Sequence, residues 1–208
     1  VVVDNDIDVT SKTFSSMGSS WFKGTFDGLG HVVNGFTPAS AHGMFGTVTA
    51  EAVIKNLALV NIGPTEFNVF SYDFSGTLDN VYVQGALSFK DTYRGVANVK
   101  SSSAQINNCI VDISGLSLPA FQCSQGVQPI VSNSYAIGDT MAGFIGYQKT
   151  LKDGGELFST YKEFSDARIS DITSTNNFNK YWNLTGDATN GYTLKFGNAV
   201  VGTTVANA

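Results

Sequence analysis

The residues of this chain that could do chemistry are few and scattered. Asp4-Asn5-Asp6-Ile7-Asp8 alternates carboxylates in the manner of a calcium loop. An EF-hand loop also requires a glycine soon after its acids and a glutamate at its end. Here Val9 and Thr10 follow instead, which reads as a solvated face opening a strand. Asp27 lies between Phe26 and Gly28 in a glycine-rich turn. An Asx-type hydrogen bond holding that turn is the expectation, because no partner carboxylate stands near it in sequence for acid–base work. Gly24, Gly28 and Gly30 form no dinucleotide fingerprint, since no amphipathic helix follows to supply a phosphate site. His31 and His42 are the only histidines and belong to no ligand cluster, so no metal and no cofactor are expected. No Gly-x-Ser-x-Gly elbow is present. Cys109 and Cys123 either pair or fill the core as buried thiols; Cys109 occupies an apolar position of a repeat, which favours the thiol.

The elements that would position such groups come from four segments with one pattern. They are Ile54-Lys55-Asn56-Leu57-Ala58-Leu59, Leu78-Asp79-Asn80-Val81-Tyr82-Val83, Ile106-Asn107-Asn108-Cys109-Ile110-Val111 and Val131-Ser132-Asn133-Ser134-Tyr135-Ala136. Their asparagines are 24, 28 and 25 residues apart, and Asn34 lies 22 before the first. A period of roughly 20–30 residues with strand-like units marks a solenoid. With each asparagine as position zero, inward residues fall at −2, +1 and +3. The three-residue step from −2 to +1 breaks strand alternation and reads as a corner. Asparagine suits a corner because it tolerates the left-handed region and its amide bonds locally. Coils stacked about 4.8 Å apart would then align Asn34, Asn56, Asn80, Asn108 and Asn133 as a ladder.

An earlier strand precedes each corner, as at Gly43 to Val48, Phe70 to Gly76, Arg94 to Val99 and Pro119 to Gln122. The fold expected is all-β: a single-stranded, right-handed parallel β-helix of about five coils over 1–150, its hand set by the preference for right-handed parallel crossovers. Trp21, Phe22, Tyr181 and Trp182 are expected to plug its ends against edge pairing. A loop-rich cap over 151–208 is expected to pack on the solenoid, with a short helix or covering loop between Glu156 and Asp166.

A polysaccharide-cleaving β-helix needs two acids about 5–10 Å apart on one groove. Position −1 holds Lys55, Asp79, Asn107 and Ser132, and +4 holds Val60, Gln84, Asp112 and Ile137, so neither column stacks acids. Asp73 and Asp91 are the remaining loop candidates. Position +2 presents Ala58, Tyr82, Ile110 and Tyr135, with Val60 and Ile137 two residues on. An outward β face that apolar meets something. The competing readings are packing against the C-terminal segment or a neighbouring subunit, and stacking of Tyr82 and Tyr135 on receptor sugars. A one-residue shift in the last coil would instead turn Tyr135 inward.

Composition restricts partners. Charged residues make up 14% of the 208, against an ordinary quarter or so, and the net charge is −5 without a basic cluster. Nucleic acid and anionic membranes are therefore unfavourable partners. No apolar run approaches the roughly 20 residues of a membrane-spanning helix.

Gly43-Met44-Phe45-Gly46 and Gly143-Phe144-Ile145-Gly146 resemble the Gly-Leu-x-Gly element of GLUG-repeat proteins. Asn133-Ser134-Tyr135-Ala136-Ile137-Gly138-Asp139 is similar to the stretch that accompanies it. Gly24-Thr25-Phe26-Asp27-Gly28-Leu29-Gly30-His31 resembles the family's opening turn, and Trp182 with Gly191-Tyr192-Thr193-Leu194 its closing motif. Phe74-Ser75-Gly76 and Thr92-Tyr93-Arg94-Gly95 depart from the pattern by lacking paired glycines. The resemblance runs from Asn5 to about Phe196. It implies an exposed structural or attachment protein without enzymatic activity: a phage virion appendage (fibre or capsid decoration) first, since the chain is short and shows no export or anchor signal. The alternatives are a module of a bacterial surface adhesin and, third, a tailspike-like depolymerase. The implied location is a virion surface or a cell surface. Implied partners are other virion or surface subunits, a second copy, or a host surface glycan.

Overall fold

The break in strand alternation at the repeat is a left-handed corner. Asn56, Asn80, Asn108 and Asn133 have φ of 53°, 59°, 53° and 44°, the region asparagine enters more readily than most non-glycine residues. In the computed structural model, which describes residues 1–10, 12, 14, 16–17, 21–87, 94–148, 150–173, 181–187 and 189–203, these corners stack into a parallel β-solenoid of about six turns. The expectation of about five coils falls one short.

One solenoid sheet runs in the order Ile7–Asp8, Val32–Asn34, Val53–Thr65, Thr77–Leu87, Ile110–Ser114, Tyr135–Ile137 and Glu156–Phe158, all parallel. The other stacks Trp21–Phe22, Thr47–Val48, Ser71–Phe74, Ala97–Val99, Phe121–Cys123 and Ile145–Tyr147. Register places Phe26, Ile54, Leu78, Ile106 and Val131 in one inward column. Leu57, Val81 and Cys109, then Leu59, Val83, Val111 and Ala136, complete the core wall of that sheet. The second sheet answers with Val48, Phe74, Val99 and Cys123, and stacked rings such as Phe45 on Phe70, 6.1 Å apart at 14°, fill the space between. Cys109 and Cys123 are both buried and unpaired.

Beyond the last rung the chain is more ordered than a loop-rich cap. A helix spans Tyr161–Thr173, and Trp182–Asp187, Gly191–Phe196 and Ala199–Thr203 form an antiparallel sheet. Thr160 Oγ1 accepts from Glu163 N–H at 3.3 Å, while the Glu163 carboxylate accepts from Ser159 N–H at 3.0 Å. These bonds satisfy amides that a helix start leaves unpaired.

The aromatic end plugs are corrected. Trp21 is 67% exposed on the outermost strand of its sheet, and only Phe22 reaches the core, 5.0 Å from Phe45. Trp182 lies on the lateral face of the solenoid, packed edge-on against Tyr82 and Phe196. The far end is closed differently: Thr150–Leu151 turns back antiparallel on Ile145–Tyr147, a pairing that cannot continue the parallel stack.

Candidate functional site

The asparagine ladder is an electrostatic chain along the corner. Asn56 Nδ2 donates to Asp27 Oδ1 at 2.9 Å, and Asn80 Nδ2 donates to Asn56 Oδ1 at 2.8 Å. Asn133 Nδ2 donates to Asn108 Oδ1 at 3.3 Å. Between Asn80 and Asn108 the pattern changes. Asn80 Oδ1 is engaged by the Trp182 indole N–H, and Asn108 Nδ2 turns to Asp79 Oδ1 at 2.9 Å. The C-terminal segment is thereby bonded into the repeat itself.

Asn34 is corrected out of this ladder. It pairs in register with Val60, not with Asn56, and accepts instead from Asn61 Nδ2 at 2.7 Å. The first coil makes its corner just after Asp27, where Leu29 and Gly30 take left-handed φ values of 50° and 84°. Asp27 Oδ1 accepts from Leu29 N–H at 3.0 Å, the Asx bond expected of it, and Lys55 Nζ lies 3.4 Å from Oδ2. Burial opposes its charge, yet the bonds from Asn56 and Leu29 with nearby Lys55 hold its carboxyl below the ordinary range. Gly28 is required there, because a Cβ would stand 2.3 Å from Asn56 O.

The outward apolar column is sealed within the chain. Ala58, Tyr82 and Ile110 are fully buried, and Tyr135 and Ile137 nearly so. With partly buried Val60 they form a second core with Phe164, Trp182, Leu194, Phe196 and Val201. Tyr135 faces this outer core, 5.2 Å from Phe164, so the alternation does not shift in the last coil. Neither tyrosine ring is available for stacking on sugar. A neighbouring subunit cannot use this column while the C-terminal segment covers it.

Where that cover ends, a polar cleft opens. Val60, Asn61, Tyr82, Gln84 and Asp112 from the solenoid face Ala199, Val200 and Val201 across about 330 Å³. Gln84 and Asp112 are register partners on adjacent rungs. Gln84 Oε1 accepts from Asn61 N–H at 2.8 Å. Tyr82 forms part of the wall, and its Oη is buried with no hydrogen-bond partner. Burial pushes the Asp112 carboxyl up to about 6, and among the described residues no cation lines the cleft to offset it. It can accept hydrogen bonds as a carboxylate or donate one as an acid within the physiological range.

The remaining candidates have structural partners. Asp6 bonds Asn198 Nδ2 at 2.9 Å, Val32 N–H at 2.9 Å and His31 Nδ1 at 3.1 Å; the Asn198 bond leads in holding its carboxyl low. Asp8 bonds Thr10, so the two acids serve different partners. Among the described residues no group of three His, Cys, Asp or Glu could hold a metal ion. Asp73 sits 3.6 Å from Lys100 on the second sheet, and Asp91 lies outside the described residues. His42 is exposed. A second polar cleft of about 340 Å³ lies beside Tyr135, but there Arg168 is paired with Glu156 and Asp171. At the N-terminal end, Val2, Ile7, Val9, Phe14, Phe26 and Phe36 are among the residues around an apolar cavity of about 380 Å³.

No family model, curated relative or solved structure matches the chain. The Asp112 cleft was missed in the sequence because it needs the strand Ala199–Thr203, which no repeat announces. Its one sequence signal is a polar Gln84–Asp112 pair in a column otherwise held by Val60 and Ile137.

Proposed function

We propose that this chain is a non-enzymatic structural and attachment protein displayed on a surface, foremost as a virion appendage of fibre or decoration type. The observation carrying the non-enzymatic reading is what its acids do. Asp6, Asp8, Asp27, Asp79 and Glu156 hold turns, ladder asparagines or an arginine. Asp112 lacks such a partner, and among the described residues no second acid lines its cleft. The next acid along its column, Asp8, is four register steps away, about 19 Å at ~4.8 Å per rung. Glycosidase pairs require about 5–10 Å.

Surface display is supported by the low charge and by an architecture in which backbone ladders and side-chain ladders run along one axis. The close approach of Gly28 to Asn56 O gives the GLUG-like turn a steric reason, and the affiliation itself is part of the proposal. A bacterial adhesin module is the alternative reading, favoured by the apolar cavity at the N-terminal end of the solenoid. Antibody raised against the folded chain should label intact phage particles. Labelling of intact bacterial cells instead would select the adhesin, and labelling of neither without permeabilisation would refute surface display.

A further inference from the structure

We infer that the Asp112 cleft is a binding site for a neutral saccharide residue. Its geometry supplies three polar groups with unused capacity. Asp112 carries no hydrogen bond or ion pair, Tyr82 Oη is buried without a partner, and the Gln84 amide uses its oxygen on Asn61 N–H while its Nε2 makes no bond. Tyr82 lines the cleft, and its hydroxyl makes no hydrogen bond. A buried hydroxyl left so carries a desolvation cost. A ligand in the cleft that reached it would remove that cost.

The identity of the groups selects the ligand. A carboxylate only accepts, an amide nitrogen only donates, and a phenol does both. Sugar hydroxyls donate and accept, so one pyranose can serve all three. An ammonium offers donors alone and would leave Gln84 Nε2 unserved. An anion would face Asp112 with no Lys, Arg or His among the described residues of the lining to compensate. A metal ion would find one carboxylate where several oxygen ligands are needed. Gln84 and Asp112 are register partners on adjacent rungs, about 4.8 Å apart, a span that hydroxyls of one ring can bridge. Val60, Ala199 and Val200 supply apolar walls for its C–H faces.

This differs from stacking on Tyr82 and Tyr135, whose rings are buried. The ligand enters beside the C-terminal strand and meets the edge of Tyr82 through its hydroxyl. The inference deepens the attachment reading and rests on it for biological meaning alone. Surface labelling and saccharide binding can each fail without the other.

The test is a titration of isotope-labelled protein with the methyl pyranosides of glucose, galactose, mannose and N-acetylglucosamine, followed by amide chemical shifts. At least one sugar should shift Gln84, Asp112 and Val200 saturably. Asp112→Asn and Tyr82→Phe should each weaken that sugar at least tenfold while both variants stay folded by circular dichroism. Asp73→Asn, on the other sheet, should bind as the parent does. No saturable shift with any of the four sugars overturns the site. So does binding unaffected by both cleft variants, or occupancy of the cleft by n-butylammonium in preference to every sugar.

Discussion

Replacing Asp112 by asparagine should make the protein more stable at neutral pH, and the gain should vanish in acid. The side chain keeps its shape and loses its charge in a cleft whose lining holds no cation among the described residues. In the folded protein burial raises the Asp112 carboxyl to about 6 from 3.8. Between those values the folded protein holds a proton that the unfolded chain has released, so stability falls as pH rises. The penalty is complete above about pH 7 and absent below about pH 3.5. At about 1.36 kcal/mol per pH unit the gap is worth about 3 kcal/mol. The titratable groups near it are Tyr82 on its own sheet and, beside Tyr82, Tyr161 from the helix; Ala199, Val200 and Val201 contribute none. Burial drives both phenols upward, so neither titrates in this window. Asp112→Asn should therefore gain about 2–3 kcal/mol at pH 7.5, a rise of roughly 4–10 °C in Tm for a chain of this size. Urea unfolding followed by circular dichroism at pH 3.5, 5, 6 and 7.5 measures it. A gain independent of pH, or a loss at pH 7.5, would refute the reasoning. Stabilisation together with lost saccharide binding would separate a functional carboxylate from a structural one.

Other consequences concern the scaffold. Asn56→Ala removes two ladder bonds and places alanine at φ 53°, which should cost about 2–4 kcal/mol in the same unfolding assay. Trp182→Phe keeps an aromatic ring but deprives Asn80 Oδ1 of its donor; a loss of about 1–3 kcal/mol is expected, with earlier protease cleavage between the solenoid and the C-terminal sheet. Ile110→Ser puts a hydroxyl into the sealed outer core and should destabilise by about 3 kcal/mol or more, with no change of oligomeric mass by light scattering. Cys109 and Cys123 are buried, and burial pushes their thiols up to about 12 and about 11. They should resist a thiol reagent at pH 8 until denaturant is added.

The solenoid was legible because each coil repeats the same physical demand. Ile54, Leu78, Ile106 and Val131 announce an inward column, and the asparagine after each announces the corner. Asn34 misled because the first coil meets that demand with different residue types, Leu29 and Gly30 taking the left-handed step and Asp27 accepting the bond from Asn56. The C-terminal segment was harder to read, since it folds once and repeats nothing. Its signals were local: Thr160 with Glu163 three residues on starts the helix, and Gly197-Asn198 between short alternating runs makes a hairpin. The outward column of Ala58, Tyr82 and Ile110 declared that something must cover it, but the choice between this chain and another depends on where a distant segment returns. The cleft is a product of that return, so Asp112 looked like an ordinary outward acid.

We propose that this protein attaches to surface glycan without cutting it. The direct measurement incubates the protein with polysaccharide purified from bacterial surfaces and follows retention and new reducing ends together. Retention that is lost in Asp112→Asn, with chain length unchanged, is the predicted result. Release of reducing ends that Asp112→Asn abolishes would contradict attachment without cleavage and make the cleft a catalytic site.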